Sequence, residues 1–361
     1  MITKIAIQGY KSIKAQVVDL APINIIIGGN GVGKSNLISV FSLIRNLYER
    51  TLQDYVIKKG GADSFLYFGK KQTKEIDIEF YFGTATQDTN RFIVSLAESQ
   101  DRLYIKALKT GFFSNKWHFQ QIESAKAESS FKDINSGQAY WVNGLLKEFE
   151  VYHFHDTGDD SPMKGNCNIN DNKYLKKDGS NIAAFLFYLK EMQPKHFNRL
   201  ERTVQSIAPF FEKFELSPNR LNPNQIQLEW KEVGAPDSYF NAYHLSDGTL
   251  RFICLATLLT QPKPPKTIII DEPELGLHPV AINKLAGLIR KASKDVQIII
   301  SSQSVNFVDN FNAQDIIVAD RENKETVFKR LNEVELKSWL EDYSLGEVWE
   351  KNIIGGQPSN N

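Results

Sequence analysis

Cysteine is scarce in this chain, and long apolar runs are missing from it. The two cysteines, Cys167 and Cys254, are too few for a disulfide-stapled scaffold, and the apolar helical pattern around Cys254 indicates a reduced thiol in a core. No apolar run approaches membrane-spanning length, and the N-terminal Met-Ile-Thr-Lys-Ile lacks the apolar core of a signal peptide. We therefore expect a cytoplasmic protein with no membrane partner.

An excess of charge is also missing, since 43 Lys and Arg residues are balanced by 43 Asp and Glu residues. A chain without net charge lacks the overall basic field that attracts nucleic acid or anionic membranes. DNA or RNA would have to be bound through a local basic patch, and the sequence leaves that open. With 42% hydrophobic residues, the 361-residue chain can bury the core of one large domain or of two modest ones.

What the chain does have is a glycine-rich stretch at residues 23–37, between a short apolar run and a helical pattern. The spacing Gly28-x4-Gly33-Lys34-Ser35 lets the backbone curl so tightly that successive N–H groups face a triphosphate at a helix N-terminus. Lys34 would reach the β- and γ-phosphates, and the Ser35 hydroxyl would bind Mg²⁺. The predicted phosphate-binding residues are Gly28, Gly29, Asn30, Gly31, Val32, Gly33, Lys34, Ser35 and Asn36. The alternative is a plain glycine-rich turn from strand to helix.

Two acidic residues end an apolar, β-branched run at residues 267–272. Such a run predicts a buried parallel strand whose carboxylates lie at the C-terminal edge of the sheet, where doubly wound folds bind ligands. Asp271 would hold Mg²⁺ through water, and Glu272 would take a proton from the attacking water. A core strand ending in a solvated acidic turn would explain either residue alone, but it fits poorly beside a phosphate loop.

The segment before this strand carries a helix start and a recognisable motif. Ser246 or Asp247 is suited to cap the apolar helix that follows. Leu-Ser-Asp-Gly-Thr at 245–249, upstream of Ile-Ile-Ile-Asp-Glu-Pro-Glu-Leu-Gly-Leu-His-Pro at 268–279, resembles the signature motif and Walker B of the ABC ATPase superfamily. Within it, the resemblance is to the RecF-like branch of AAA-family ATPases. This branch includes structural-maintenance-of-chromosomes (SMC) heads and the ATPases of overcoming-lysogenization-defect nucleases.

Two further segments extend this resemblance. Residues 5–13 are similar to the first strand of the RecF-like branch, and residues 298–304 take the place of its switch strand. The resemblance implies an α/β fold, namely a P-loop ABC-type ATPase head with a mixed sheet core, an antiparallel β meander and an inserted helical lobe. It also implies ATP and Mg²⁺ as cofactors and an ATPase that closes as a head-to-tail dimer.

The resemblance also implies roles for single residues. Ser246 and Gly248 would bind the γ-phosphate of ATP held by the other subunit, and residues 275–278 would form the D-loop across the dimer seam. Gln303 stands where the switch histidine is expected, which removes an imidazole from the γ-phosphate and predicts slow hydrolysis. The predicted catalytic residues are Glu272, Lys34 and Gln303.

Apolar periodicity predicts the organisation of the rest of the chain. The predicted strands of the meander are 76–82, 91–96, 103–108 and 116–120. Beyond them we expect helices at 181–192 and about 196–211, and a strand at 226–230. The predicted parts of the chain are 1–123 (first part of the ATPase core, with the meander), 124–240 (inserted, mainly helical lobe), 241–335 (second part of the core) and 336–361 (C-terminal helix and flexible tail).

A pair of histidines raises a second kind of site. His153 and His155 stand in the run Val-Tyr-His-Phe-His-Asp and would share one face of an extended segment. A metal site is conceivable there. The pair lacks a second ligand cluster at metal-like spacing, so a structural or loop role is the alternative.

The predicted function is that of an ATPase whose two copies close around ATP and gate a partner protein or nucleic acid, in bacterial genome defence or DNA repair. The main alternative is an ATP-dependent scaffold or sensor with little or no hydrolysis, assembling with a separate effector such as a nuclease, and Gln303 favours it. A fused nuclease is disfavoured because the segment after Gln303 is short and lacks an acidic cluster. A small-molecule kinase would share the phosphate loop but would have no use for the signature motif.

Overall fold

The structure, a computed structural model, describes residues 1–84, 86–235 and 238–357. Its strands are β1 (Ile2–Tyr10), β2 (Ile13–Asp19), β3 (Ile23–Ile27), β4 (Glu75–Gly83), β5 (Asp88–Ser99), β6 (Arg102–Ser114), β7 (Lys116–Lys126), β8 (Phe149–Tyr152), β9 (Cys167–Asn168), β10 (Phe211–Phe214), β11 (Gln225–Ile226), β12 (Glu229–Glu232), β13 (Phe240–Asn241), β14 (Thr267–Asp271), β15 (Gln297–Ser301), β16 (Ile316–Glu322) and β17 (Glu325–Arg330). Its helices are α1 (Lys34–Tyr48), α2 (Leu52–Lys58), α3 (Gly137–Lys147), α4 (Ile182–Met192), α5 (Pro194–Gln205), α6 (Asp247–Thr260), α7 (Pro279–Ala292), α8 (Val305–Val308), α9 (Glu333–Leu340) and α10 (Leu345–Glu350).

The described chain divides into two compact units. The first comprises residues 1–150, 266–269 and 297–357, and the second comprises residues 151–265 and 270–296, in both cases within the described ranges. The division into four parts stays a prediction, and the last four residues of the predicted tail, 358–361, lie outside the described residues. Among the helices that the structure describes, none is long and apolar enough to cross a bilayer.

The first unit contains an antiparallel sheet in the order β2-β1-β4-β5-β6-β7, which confirms the predicted meander. Strand β7 runs on to Lys126, into a polar stretch for which the sequence predicts no element. Alternate residues of β4, from Ile76 to Phe82, are buried, so one face of this sheet packs on the core. On that face the ring of Phe80 lies 5.5 Å from the ring of Phe41, and this contact packs α1 against the sheet.

A second sheet is mixed and has the order β17-β16-β3-β15-β14-β8, and its strands β17, β16, β3 and β15 lie wholly in the first unit. Strand β3 is parallel to both neighbours, with Ile26 opposite Ser301 of β15 and opposite Ile317 of β16. All five residues of β3 are buried, as expected for a central strand covered on both faces. Because parallel strands end at the same edge, the segments that follow β3 and β15 lie together at the carboxyl edge of this sheet.

The second unit consists of helices α4 to α7 with short strands beside them, in the orders β10-β12-β13 and β11-β9. Helix α6 is buried from Thr249 to Leu259 and forms the centre of the unit. Cys254 within it is completely buried, and burial raises the pKa of its thiol. Neither cysteine forms a disulfide, and the expectation of a reduced core thiol at Cys254 is confirmed.

The predicted helix at 196–211 is wrong in its extent. Helix α5 begins at Pro194 and ends at Gln205, and Phe211 begins strand β10. Proline at the first helical position is well tolerated, because that N–H would lack a helical partner anyway. Pro209 explains the early end, since the residue before a proline avoids the helical conformation.

The single strand predicted at 226–230 is also wrong. Strand β11 ends at Ile226 and pairs with β9, whereas β12 begins at Glu229 and pairs with β10. Between the two, the Gln227 side chain donates a hydrogen bond to the Lys164 carbonyl at 2.8 Å. The alternating pattern thus covers two short strands of different sheets, which a local pattern cannot distinguish from one continuous strand.

Candidate functional site

In the first unit, the glycine-rich loop leaves β3 and enters α1 with a backbone that only glycine allows at two points. Gly28 has φ 152°, and a Cβ on it would lie 2.4 Å from the Ala319 carbonyl oxygen. Gly33 has φ 112° and caps α1, and a Cβ there would lie 2.3 Å from Thr326 Oγ1. The tight curl predicted from the glycine spacing is therefore present in the structure.

Lys34, the first residue of α1, points back over this loop. The residue is only 4% exposed, and its Nζ donates to the carbonyls of Gly28 at 2.7 Å and Gly29 at 3.0 Å. Ser35 and Asn30 are exposed. Gly33, which caps this described helix, has no side chain that could accept a hydrogen bond from its first N–H groups, and no acidic residue stands in the first turn. The helix N-terminus therefore keeps its partial positive charge beside a buried cation, which suits an anion.

A chain of side-chain hydrogen bonds stabilises the loop from outside. Asn36 Nδ2 donates to Ser12 Oγ at 2.7 Å, Ser12 Oγ lies 2.6 Å from Thr326 Oγ1, and Thr326 Oγ1 donates to the Val32 carbonyl at 2.7 Å. We call Ser12, Asn36 and Thr326 the loop brace. Thr326 is 1% exposed and carries no sequence signal, so sequence reasoning missed it.

Lys11 ties the turn that carries Ser12 to the same helix. Its Nζ donates to Ser39 Oγ at 3.0 Å and lies 5.6 Å from the centre of the Phe65 ring. Burial, and secondly the charge of Lys59, lowers the pKa of Lys11 to about 8. Because Ser39 belongs to α1, this contact joins the β1–β2 turn to the helix that begins at the loop.

Gln303 lies at the same sheet edge as the glycine-rich loop. The Ser302 N–H donates to the Ile26 carbonyl at 2.9 Å, which aligns the end of β15 with the end of β3. Gln303 is the next residue, and its side chain is exposed. The structure thus brings Gln303 and the loop to one edge of the first unit, as the parallel pairing requires.

In the second unit, the segment 245–249 begins helix α6. Ser246 is the cap residue, because its Oγ accepts a hydrogen bond from the Thr249 N–H at 3.2 Å, and Ser246 itself is exposed. A Cβ on Gly248 would lie 2.4 Å from the Gly276 carbonyl oxygen. The glycine of the predicted signature is therefore needed for close backbone contact with the predicted D-loop.

Arg251 joins this helix to two neighbouring segments of the second unit. Its guanidinium donates to the carbonyls of Phe154 at 2.9 Å and His155 at 3.0 Å, and to the carbonyl of Leu275. Burial lowers the pKa of Arg251, while the carboxylates of Asp247 and Glu274 raise it. Sequence reasoning missed this residue, because an arginine inside an apolar helix carries no motif.

The predicted acidic pair lies at the end of β14. Asp271 is the last residue of the strand, Glu272 follows it, and both are half-buried. Glu272 has φ 41°, which is a left-handed conformation that costs a non-glycine residue on the order of 1 kcal/mol or more. The same conformation occurs in turns elsewhere in the described chain, at Arg50 and Gln100 among others.

The histidine pair has a backbone role in the second unit. The His153 N–H donates to the Lys177 carbonyl at 2.8 Å, and the His155 carbonyl accepts from Arg251. Within the described ranges, no three His, Cys, Asp or Glu side chains are grouped so that they could hold a metal ion. The contacts of this segment thus account for it as a structural element.

One family model matches residues 23–309, which is most of the chain, and its description is "AAA domain, putative AbiEii toxin, Type IV TA system". Among solved structures, an SMC head bound to the C-winged helix domain of ScpA is similar, with a TM-score of 0.62 and 16% identity over 93% of this chain and 99% of that one. An SMC head with an extended coiled coil, bound to the C-terminal domain of ScpA derived from Pyrococcus furiosus, has a TM-score of 0.58 and 14% identity over 94% and 98%. At this identity the likeness shows the fold, and the predicted ATPase-head fold is confirmed. No curated protein matches the chain.

Proposed function

Because this chain belongs to the AbiEii-like AAA-domain family and has a fold similar to that of SMC heads, we propose that it binds ATP together with Mg²⁺ and hydrolyses it. The observation that carries the proposal is the curled glycine-rich loop of the first unit. Its two required glycines, the buried Lys34 amino group and the open N-terminus of α1 together suit a polyphosphate.

The oxygen donors that the chain offers also suit Mg²⁺. The exposed Ser35 hydroxyl and the Asp271 carboxylate are hard ligands, and a site with few protein ligands leaves room for phosphate oxygens and water. Ser35 and Asp271 are the residues that would hold the ion. When bound, Mg²⁺ would neutralise charge on the phosphates.

For hydrolysis we assign Glu272 as the general base and Gln303 as a hydrogen-bond donor to the γ-phosphate. The place of Glu272 directly after Asp271, the last residue of β14, supports this assignment, because it puts two carboxylates at the end of one strand. An amide donates a hydrogen bond but carries no charge, so turnover should be slow.

We further propose that two copies close head to tail, with Ser246 and Gly248 of one copy on the γ-phosphate held by the other. The exposure of the Ser246 hydroxyl at the N-terminus of α6 supports this role, and the Asp247 carboxylate in the first turn of the same helix is paired with Lys164 at 3.7 Å. The closed dimer would gate a separate effector protein or nucleic acid. The toxin named in the family description supports a place in bacterial genome defence, with DNA repair as the other setting.

Gln303 supports a second candidate, an ATP-dependent scaffold or sensor that assembles with its effector and hydrolyses little or no ATP. The two candidates share ATP binding and differ in turnover. A measured rate of phosphate release therefore separates them.

The proposal is tested with two variants, Lys34→Ala and Glu272→Gln. Lys34→Ala removes the buried cation and should abolish binding of ATP in calorimetric titration. Glu272→Gln should still bind ATP but hydrolyse it at least ~100-fold more slowly, the scale of a lost general base. ATP binding by Lys34→Ala at wild-type affinity would refute the phosphate site, and wild-type turnover by Glu272→Gln would refute the assigned base.

A further inference from the structure

The last described segment of the first unit returns to the start of the glycine-rich loop. The Gly356 carbonyl accepts a hydrogen bond from the Gly29 N–H at 2.5 Å, and Gly356 is buried. The Gly356 N–H in turn donates to Asp320 Oδ2 at 3.1 Å. Gly29 is therefore joined, through Gly356, to β16, which contains Asp320.

Both glycines of this segment are required by backbone conformation and by space. Gly355 and Gly356 each have φ 77°. A Cβ on Gly356 would lie 2.8 Å from Val318 Cγ1 and 3.3 Å from the Gly28 Cα. The segment thus packs backbone to backbone against the point where β3 becomes the loop, and a side chain would separate the two.

The segment is fixed at its other end beside the residues that follow Gln303. The Gly346 N–H, in the first turn of α10, donates to Asp309 Oδ1 at 2.6 Å. A Cβ on Gly346 would lie 2.5 Å from Val305 Cγ1 in α8, so the two short helices are in direct contact. Further along, the Gln357 side chain donates to the Trp349 carbonyl at 3.2 Å. Residues 345–357, which we call the C-terminal strap, therefore join α8, which follows Gln303, to the glycine-rich loop.

We propose that the C-terminal strap positions the glycine-rich loop for nucleotide, with Gly356 and Asp320 as the positioning residues; this inference rests on the proposed function. The loop begins with Gly28 and Gly29, and the backbone of glycine can adopt more conformations than that of any other residue. An unrestrained loop would therefore sample many conformations. Apparent affinity falls in proportion to the fraction of protein in the binding-competent state. Loss of the strap should therefore weaken ATP binding, by ~10-fold if that fraction falls to a tenth.

The test compares Gly356→Ala and a chain ending at Ile354 with the control Gly137→Ala. Gly137 has φ 71°, close to that of Gly356, but a Cβ there meets nothing within 4 Å, so the control carries the same backbone strain without the contact. A second pair is Asp320→Ala, which removes the acceptor for the Gly356 N–H, and Asp320→Asn, which keeps an oxygen there. Two quantities are measured on each: amide hydrogen exchange of residues 26–36 without nucleotide, and affinity for a fluorescent ATP analogue with Mg²⁺.

We expect faster exchange at residues 26–36 and ~10-fold weaker binding in Gly356→Ala, in the truncated chain and in Asp320→Ala. Gly137→Ala and Asp320→Asn should resemble the wild type. Unchanged exchange and affinity in the truncated chain and Gly356→Ala would overturn the proposal. So would tighter binding, which would make the strap inhibitory, or a lower Tm with unchanged affinity, which would make it merely structural. Failure of the proposed function has a different signature: wild type and Lys34→Ala would bind the analogue equally.

Discussion

Replacing Thr326 by valine should loosen the loop brace without changing the shape of the side chain. Thr326 is 1% exposed, and its hydroxyl both donates to the Val32 carbonyl and contacts Ser12 Oγ. Leaving a buried acceptor without its donor costs about 1–3 kcal/mol. Ser12 is half-buried, so water can replace its lost partner, and the Val32 carbonyl accounts for most of the loss. We therefore expect the free energy of unfolding to fall by about 1–3 kcal/mol.

The same change should weaken ATP binding, because the Val32 carbonyl belongs to the loop itself. If half of that energy, about 0.5–1.5 kcal/mol, serves to keep the loop in its curled form, the affinity falls by roughly 2- to 12-fold, since about 1.4 kcal/mol corresponds to a factor of ten. Urea unfolding measures the stability, and calorimetric titration with a slowly hydrolysed ATP analogue measures the affinity. A variant with wild-type values in both measurements would refute the role of the brace.

Two controls separate the hydroxyl from the rest of the side chain. Thr326→Ser keeps the hydroxyl and should retain most of the stability and affinity. Thr110→Val makes the same chemical change in β6 of the same unit, at a buried hydroxyl without a hydrogen-bond partner among the described residues. Removing that hydroxyl should be neutral or stabilising. Losses in Thr326→Ser as large as those in Thr326→Val would refute the role of the hydroxyl, because serine keeps it.

Two further predictions concern the proposed dimer and its turnover. In the Glu272→Gln background with ATP and Mg²⁺, light scattering should show a multiple of the 41.1 kDa chain. Ser246→Arg should prevent that shift by placing a bulky cation in the seam, and the same mass distribution with and without this substitution would contradict the head-to-tail model. Gln303→His should raise the ATPase rate by ~10-fold and shorten the lifetime of the ATP-bound dimer. The reason is that an imidazolium stabilises developing charge better than an amide by about 1–2 kcal/mol. A folded, ATP-binding Gln303→His variant with unchanged turnover would show that Gln303 does not limit hydrolysis.

Local patterns in the sequence predict the elements whose causes are local. The apolar run before Gly28, the helical spacing after Lys34 and the cap at Ser246 each depend on residues within a few positions, and the structure confirms β3, α1 and the Ser246 cap. The helix predicted at about 196–211, observed as α5, shows the limit of the same method. Its apolar periodicity continues past Gln205, whereas Pro209 and pairing of β10 with a strand later in the chain determine the actual end.

Residues that stabilise the site from a distance could not be predicted in this way. Thr326 lies near Val32 because β17 pairs with β16 and β16 pairs with β3. The residues next to Thr326 in the sequence do not distinguish it from a solvated strand threonine. Arg251 lies inside a helix that reads as apolar core, and its partners are backbone carbonyls, which every residue possesses. Contacts of a side chain with distant backbone leave no pattern of residue types to recognise.

The glycines of the two motifs show that the chain's own backbone imposes part of a sequence signature. Gly28 and Gly248 were predicted to serve phosphate groups, and glycine permits such close approach. In the structure each is also required by a carbonyl of the same unit, Ala319 for Gly28 and Gly276 for Gly248. A substitution at either position would therefore disturb the packing before any ligand was bound. Loss of ATP binding in a Gly28 or Gly248 variant therefore could not identify a phosphate contact. Substitutions of side chains, such as Lys34→Ala and Glu272→Gln, avoid this ambiguity because they leave the backbone of both motifs unchanged.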